Sequence, residues 1–125
     1  MAFLNPGYEE KVRQVHGISQ MQWHEICAFL RGATYCWCKN KGQAPFAAND
    51  LIGGTIDDWR GTPLMILYEY YLDGNNDNSE YAFQEAGKAA GRLLFEVLAT
   101  DRRVYDTWEG FTRQYRWMGN ENNVG

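Results

Sequence analysis

Apolar residues recur every three or four positions along most of this chain, and short clusters of Gly, Pro, Asn and Asp interrupt them. The signal is sharpest at "GISQMQW", where Ser19 is set to cap a helix, Gln22 sits three positions on to close a capping box, and Ile18 can pack onto Trp23. Trp23, Ile26, Cys27, Leu30, Ala33, Thr34 and Trp37 then share one side at helical spacing. That helix is predicted to reach about Cys38 and to stop in "KNKGQAP". Upstream, "YEEKVRQVH" reads as a short first helix.

"GTPLMILYEYYL" carries its own start, with Thr62 as cap and Pro63 at the first helical position, where a missing N–H costs nothing. Its body is apolar almost all round, which predicts burial on several sides. "SEYAFQEAGKAAGRLLFEVLAT" is the longest predicted helix, capped by Asn78 or Ser79. Ala82, Ala86, Ala90, Leu93 and Val97 line its inner face, with Phe83, Leu94 and Leu98 on one flank. Gly87 and Gly91 each cost roughly 1 kcal/mol in a helix, so they are expected where a neighbouring helix approaches closely. "TDRRVYDTWEGFTRQYRWM" reads as a last helix, Val104, Trp108, Phe111, Tyr115 and Met118 falling on one stripe. "APFAANDLIGGTIDDWRG" fits either a short helix with a turn or a small hairpin around Gly53–Gly54.

The expected architecture is therefore all-α: an irregular bundle of five or six helices in a single compact domain spanning 1–125, with 1–6 and 119–125 as flexible ends. A chain of 125 residues can bury roughly two-thirds of its unfolded surface without disulfides or metals. Its rings are in excess, five Trp, eight Tyr and six Phe making 15%, and more rings than a core can hold argue for a partner or a second copy. Three Cys fit poorly with a disulfide framework, the N-terminus lacks the pattern of a signal peptide, and no apolar run approaches the ~20 residues of a membrane span. A cytoplasmic location without membrane contact is the expectation.

The net charge of −4 is unevenly spread, with nine acidic and three basic residues between 46 and 99. Such a centre argues against a nucleic-acid cradle, which depends on phosphate contacts. The C-terminal segment is the exception to weigh. Arg102, Arg103, Arg113 and Arg116 interleave with Trp108, Tyr115 and Trp117, as in a surface that stacks bases. Arg102–Asp106 and Glu109–Arg113 are nevertheless spaced as ion pairs on a solvated helix face, which is the plainer reading.

Candidate chemistry is sparse. Asp73, Asn75, Asp77 and Ser79 alternate like calcium-loop ligands, but the sixth position is Asn78 and the twelfth is the neutral Gln84. The plainer reading is a polar turn with a helix cap. His24 and Cys27 are neighbours on one helix, yet Cys38 is 14 residues beyond His24, roughly 20 Å along the axis, and Cys36 and Cys38 point apart, so zinc is not assembled without a break at Gly32. No cofactor is implied. "HEICA" lacks the second His of a metalloprotease and "LIGGT" lacks the Lys of a phosphate loop. Asp57 and Asp58 suit the start of a helical turn. Glu69 is the one carboxylate within "LMILYEYYL"; drawn inward beside Tyr68, Tyr70 and Tyr71 it would be an acid–base candidate, and otherwise it marks that helix's solvent-facing stripe.

The leading functional reading is a small helical protein acting as a non-catalytic binding or interaction module, self-associating, with the compactness of a phage or mobile-element accessory protein. Trp117, pointing away from the core among Arg113 and Arg116, is its expected partner contact, with Phe95 as a second. The competing possibility is that Gly110 breaks the segment and Trp117 folds back. The second reading is a small-molecule or hydrolase-like pocket around Glu69, Tyr68 and Tyr71. The third is a nucleic-acid-associated factor using the last helix.

Overall fold

Ser19 does what its position predicts. Its Oγ accepts from the Gln22 N–H at 3.1 Å and the Gln22 side chain accepts from the Ser19 N–H at 3.0 Å, opening α1 (Gln20–Lys41). In the computed structural model, residues 18–74 and 78–121 are described; the first expected helix, over 8–16, lies outside them. α1 runs three residues past Cys38 and ends at Gly42, whose φ of 62° lets its N–H turn back onto the Cys38 carbonyl. Thr34, fully buried in the middle, satisfies its hydroxyl by donating to the Leu30 carbonyl at 2.9 Å.

The ambiguous stretch forms two short helices and no hairpin: α2 (Ala48–Ile52) and α3 (Ile56–Trp59). The Asp58 carboxylate fixes the corner between them, accepting from the N–H groups of Gly54 and Thr55 and from the Thr55 hydroxyl. Those hydrogen bonds from Thr55, with Gly54 adding to them, hold its carboxyl below the usual range. Gly53 adopts a φ of 77° against that carboxylate, and a Cβ there would overlap it.

Thr62 donates to the Trp59 carbonyl at 2.7 Å and accepts from the Leu64 N–H, so a tight turn precedes α4 (Met65–Gly74), which starts later than the Thr62 cap predicted. α4 is not buried on several sides. Within it only Leu67 is fully buried, and Glu69, Tyr70, Asp73 and Gly74 are exposed. α5 (Ser79–Ala99), capped by Asn78 through the Tyr81 N–H, is the centre of the molecule. Nine of its residues are buried, Ala82, Ala86, Leu93, Leu94 and Val97 among them, and it packs against α4 and α1. Gly87 and Gly91 are not sites of close approach, because a Cβ on either would meet nothing within 4 Å.

The expectation of an all-α bundle is overturned beyond Ala99. The segment expected as a last helix is an antiparallel hairpin, β1 (Arg103–Glu109) and β2 (Arg113–Glu121), making the protein mixed α/β. Pairing runs Tyr105 to Trp117, Thr107 to Tyr115 and Glu109 to Arg113, with a register shift between Arg103 and Tyr105. Two-residue alternation places Tyr105, Thr107 and Tyr115 inward, where all three are buried. Phe46 adds a single bridge on the other edge of β2, exchanging two 2.8 Å backbone hydrogen bonds with Tyr115. Gly119, Asn120 and Glu121, expected at a loose end, are the last residues of β2.

Candidate functional site

Three clusters of polar and aromatic side chains stand out among the described residues, and the most enclosed is built around Asp101. The chain leaves α5 at Thr100, so Asp101 falls where the helix end, the middle of α1 and the start of β1 converge. Its side chain is 3% exposed. One oxygen accepts from the Tyr35 hydroxyl at 2.5 Å and the other from the Tyr105 hydroxyl at 2.6 Å, with the Arg31 Nε 3.9 Å from the first. Both phenols are held protonated: burial, then the hydrogen bond to Asp101, raises Tyr35 and drives Tyr105 far above the tyrosine range.

Arg103 lies next to this group, stacked between two rings. Its guanidinium carbon is 4.3 Å from the centroid of Tyr35 and 4.6 Å from that of Trp117. Nε and Nη1 of Arg103 are buried without a hydrogen-bond acceptor. Burial raises the Cys38 thiol, and the neighbouring Arg103 charge opposes that rise. Chemically, the cluster offers two neutral phenols, a thiol held protonated and a carboxylate whose oxygens are both engaged. It ties α1, α5 and the hairpin together.

The second cluster is the far end of the hairpin. Arg113 donates to Glu109 at 2.5 Å and to the Thr107 hydroxyl at 3.2 Å, and the Gly110 N–H bonds the Thr112 carbonyl at 3.1 Å. Phe111 stands at the tip, fully exposed at 106%. The Arg113 guanidinium is 5.8 Å from the ring centroid of Phe95, so these two sequence candidates meet. Arg116 is elsewhere, paired across the ribbon with Asp106 at 3.8 Å. Trp117 is half-buried against the core and donates from Nε1 to the Asn120 carbonyl at 3.1 Å. The helical stripe on which its outward direction rested does not exist, and the turn at Gly110 is what removes it.

The third cluster is the end of α4. A cavity of about 460 Å³ is lined there by Tyr70, Tyr71, Asp73 and Gly74. Glu69 is exposed and is not part of that wall, and Tyr68 and Tyr71 pack half-buried against the core. A smaller cavity of about 250 Å³ between α1 and α2 takes in Cys36, Trp37, Lys41 and Asp50.

The metal candidates do not converge. His24 is exposed whereas Cys27 is buried, its thiol pushed up to about 11, chiefly by burial and then by Glu96. Among the described residues no three His, Cys, Asp or Glu side chains come together as metal ligands. Asp73 is exposed at the end of α4, and Asn75 and Asp77 lie outside the described residues. Sequence reasoning missed Asp101, Tyr35 and Tyr105 altogether. Their only early sign was an acid directly after the longest apolar helix, and no spacing joins it to Tyr35, 66 residues away.

No helix among the described residues is long and apolar enough to cross a membrane. Compared with family models, curated proteins and solved structures, the chain matches none.

Proposed function

We propose that this protein is a non-catalytic interaction module that self-associates through the free end of its hairpin. The observation that carries the reading is Phe111, a phenyl ring presented wholly to water on a turn braced by the Glu109–Arg113 pair. Scattered exposed apolar residues are ordinary, but a fully exposed ring on a braced turn gives the monomer nothing for its unfavourable hydration. Trp108 is half-buried on β1 just behind the Glu109–Arg113 pair that closes the turn, and the Arg113 guanidinium is 5.8 Å from the Phe95 ring centroid, so aromatics and an arginine lie near the tip. Trp, Arg and other large rings in this arrangement are the usual content of an interface hot spot.

The C-terminal arginines favour a protein partner over nucleic acid. Arg102, Arg113 and Arg116 each face a carboxylate, on Glu121, Glu109 and Asp106, and Arg103 is stacked inside. Phosphate recognition would have to compete with those pairs. Small size and acidity fit an accessory factor, in the cytoplasm, of a phage or mobile element.

Light scattering across a concentration series tests the reading. The wild-type chain is expected to exceed the 14.4 kDa of one copy, and Phe111→Ser to return it to that mass. The substitution should change monomer stability by no more than about 0.5 kcal/mol, as for other surface positions. A wild type that stays at the monomer mass, or a Phe111→Ser variant that associates as before, overturns it.

A further inference from the structure

The crevice between α1 and α2 and the exposed ring on the hairpin tip match in size, polarity and charge. The crevice holds about 250 Å³, and all of its lining falls well inside the continuously described stretch 18–74. Trp37 from α1 and Leu51 from α2 give it apolar walls, with Cys36, Asn40, Lys41 and Asp50 around them. Trp37 is fixed in place, its Nε1 donating to the Ala44 carbonyl at 3.0 Å and its ring centroid 5.8 Å from that of Phe46. An apolar cavity of roughly 150 Å³ already holds benzene, so the crevice has room for a phenyl ring. Phe111 does not fill the crevice of its own chain, because it is wholly exposed. The charges correspond as well. Lys41 and Asp50 are exposed, and neither has an ion-pair partner among the described residues. The tip carries the reciprocal set, Glu109 and Arg113, two residues to either side of Phe111.

We propose that Phe111 of one copy seats in the α1–α2 crevice of the next, against Trp37 and Leu51. This rests on the reading that the chain self-associates through its hairpin, and it adds the surface that receives the tip. A seated ring lets Glu109 face Lys41 and Arg113 face Asp50, so the rim of the contact is paired in both directions. Two tips meeting ring to ring are the poorer match. They would leave much of each phenyl in water, whereas binding energy concentrates in side chains fully desolvated within a pocket. Tip and crevice are different patches, so the contact is heterologous. Each copy offers one of each, and copies add head to tail until a ring closes or a filament grows.

The experiment blocks tip and crevice separately in the full chain and then mixes the two. Phe111→Ser removes the tip. The crevice is blocked without a mutation, by treating the dilute native chain with a fluorescein maleimide, which reaches the exposed Cys36 but not the buried Cys27 and Cys38. Mass spectrometry confirms a single adduct on Cys36. Each blocked chain alone is expected to fall to the one-copy mass of 14.4 kDa in light scattering, and an equimolar mixture to form a species of two copies and no more. Cys36→Ser exposed to the same reagent should associate as the untreated wild type does, which separates the effect of the adduct from that of the treatment. Lys41→Glu should weaken wild-type association about five-fold, as loss of an exposed ion pair would. If the Cys36 adduct associates as the wild type does and the mixture holds only single copies, the contact runs tip to tip: this inference is overturned and the Phe111 reading stands. A wild type that never exceeds one copy overturns both.

Discussion

α5 and the hairpin that follows it contribute to one core by opposite means. α5 buries small and aliphatic side chains, Ala82, Ala86, Ala89, Ala90, Leu93, Leu94, Val97 and Leu98, with no polar group among them. The hairpin buries Tyr105, Thr107 and Tyr115 and docks through a carboxylate held by two phenols. The helix satisfies its backbone internally and needs only apolar contact, which is non-directional and proportional to buried area. A two-stranded ribbon is marginal by itself, so this one relies on directional anchors: the Asp101 hydrogen bonds, the Phe46 bridge and the stacked Arg103. Substitutions in α5 should therefore be graded by volume, and substitutions at the hairpin's anchor by whether a buried donor is left without an acceptor.

The sharpest break of that comparison is Asp101→Ala. It removes the acceptor for the buried Tyr105 hydroxyl and the half-buried Tyr35 hydroxyl, and the counter-charge for the partly exposed Arg31. The expected loss is about 3 to 4 kcal/mol, the range for breaking a buried charged network from one side. Leu93→Ala in α5, a cavity in a purely apolar site, should cost about 2 to 5 kcal/mol. Urea denaturation gives both values, and amide hydrogen exchange separates them. Asp101→Ala should raise exchange first in residues 103–121, and Leu93→Ala throughout α1, α4 and α5. Uniform exchange in both variants, or a loss under 1 kcal/mol for Asp101→Ala, would mean that the hairpin docks by area alone.

Alkaline pH tests the same anchor without a mutation. Tyr35, Tyr105 and Tyr115 all have protonation shifted upward, burial being the first cause in each, and Cys27 is pushed up to about 11. The folded chain therefore keeps protons that the unfolded chain gives up, the Cys27 and Cys38 thiols first and then the tyrosines from about pH 10. Stability should be level through neutral pH and fall above about pH 9, each such group contributing a slope of about 1.4 kcal/mol per pH unit once its unfolded form ionises. Tyr105→Phe should make that fall shallower by one group. A wild-type stability that holds level through pH 11 would remove the phenols from this account.

These contrasts also explain which parts of the molecule were legible in the sequence. The start of α1 was, because Ser19, Gln22 and Trp23 act within one turn. So was the inner face of α5, whose alanines and leucines keep a 3.6-residue period over five turns. The hairpin was misread because Val104, Trp108, Phe111, Tyr115 and Met118 fit a helical stripe by spacing alone. The competing signals were Gly110 and the richness in Val, Thr, Tyr and Trp on both sides of it, which favour strands. Glu109–Arg113 misled most directly, since residues four apart are neighbours on a helix and also face each other across a three-residue hairpin loop. Arg102 and Asp106, read as a second such pair, part company and bond Glu121 and Arg116 instead. Of the candidate sites, the tyrosines near Glu69 led to the α4 cavity, but Asp73 rather than Glu69 belongs to it. Asp101 was illegible because its partners are fixed by tertiary packing.

The smallest expected effect concerns the open side of α5. Gly87 and Gly91 are half-buried, yet a methyl group on either would touch nothing. Glycine in a helix interior is less favourable than alanine by about 0.8 to 1 kcal/mol, because the unfolded chain loses more freedom on ordering it. Gly87→Ala should thus stabilise the monomer by about 0.5 to 1 kcal/mol, seen as a higher denaturation midpoint at an unchanged denaturant slope. Light scattering on the same variant makes the result more informative. If self-association runs only through Phe111, the alanine leaves the mass distribution as it is in the wild type. A Gly87→Ala chain that is more stable as a monomer but associates less would show the glycine face of α5 to be covered by the second copy. The contact would then extend from the hairpin tip along the helix past Phe95, and the two glycines would be explained by a close approach between chains rather than within one.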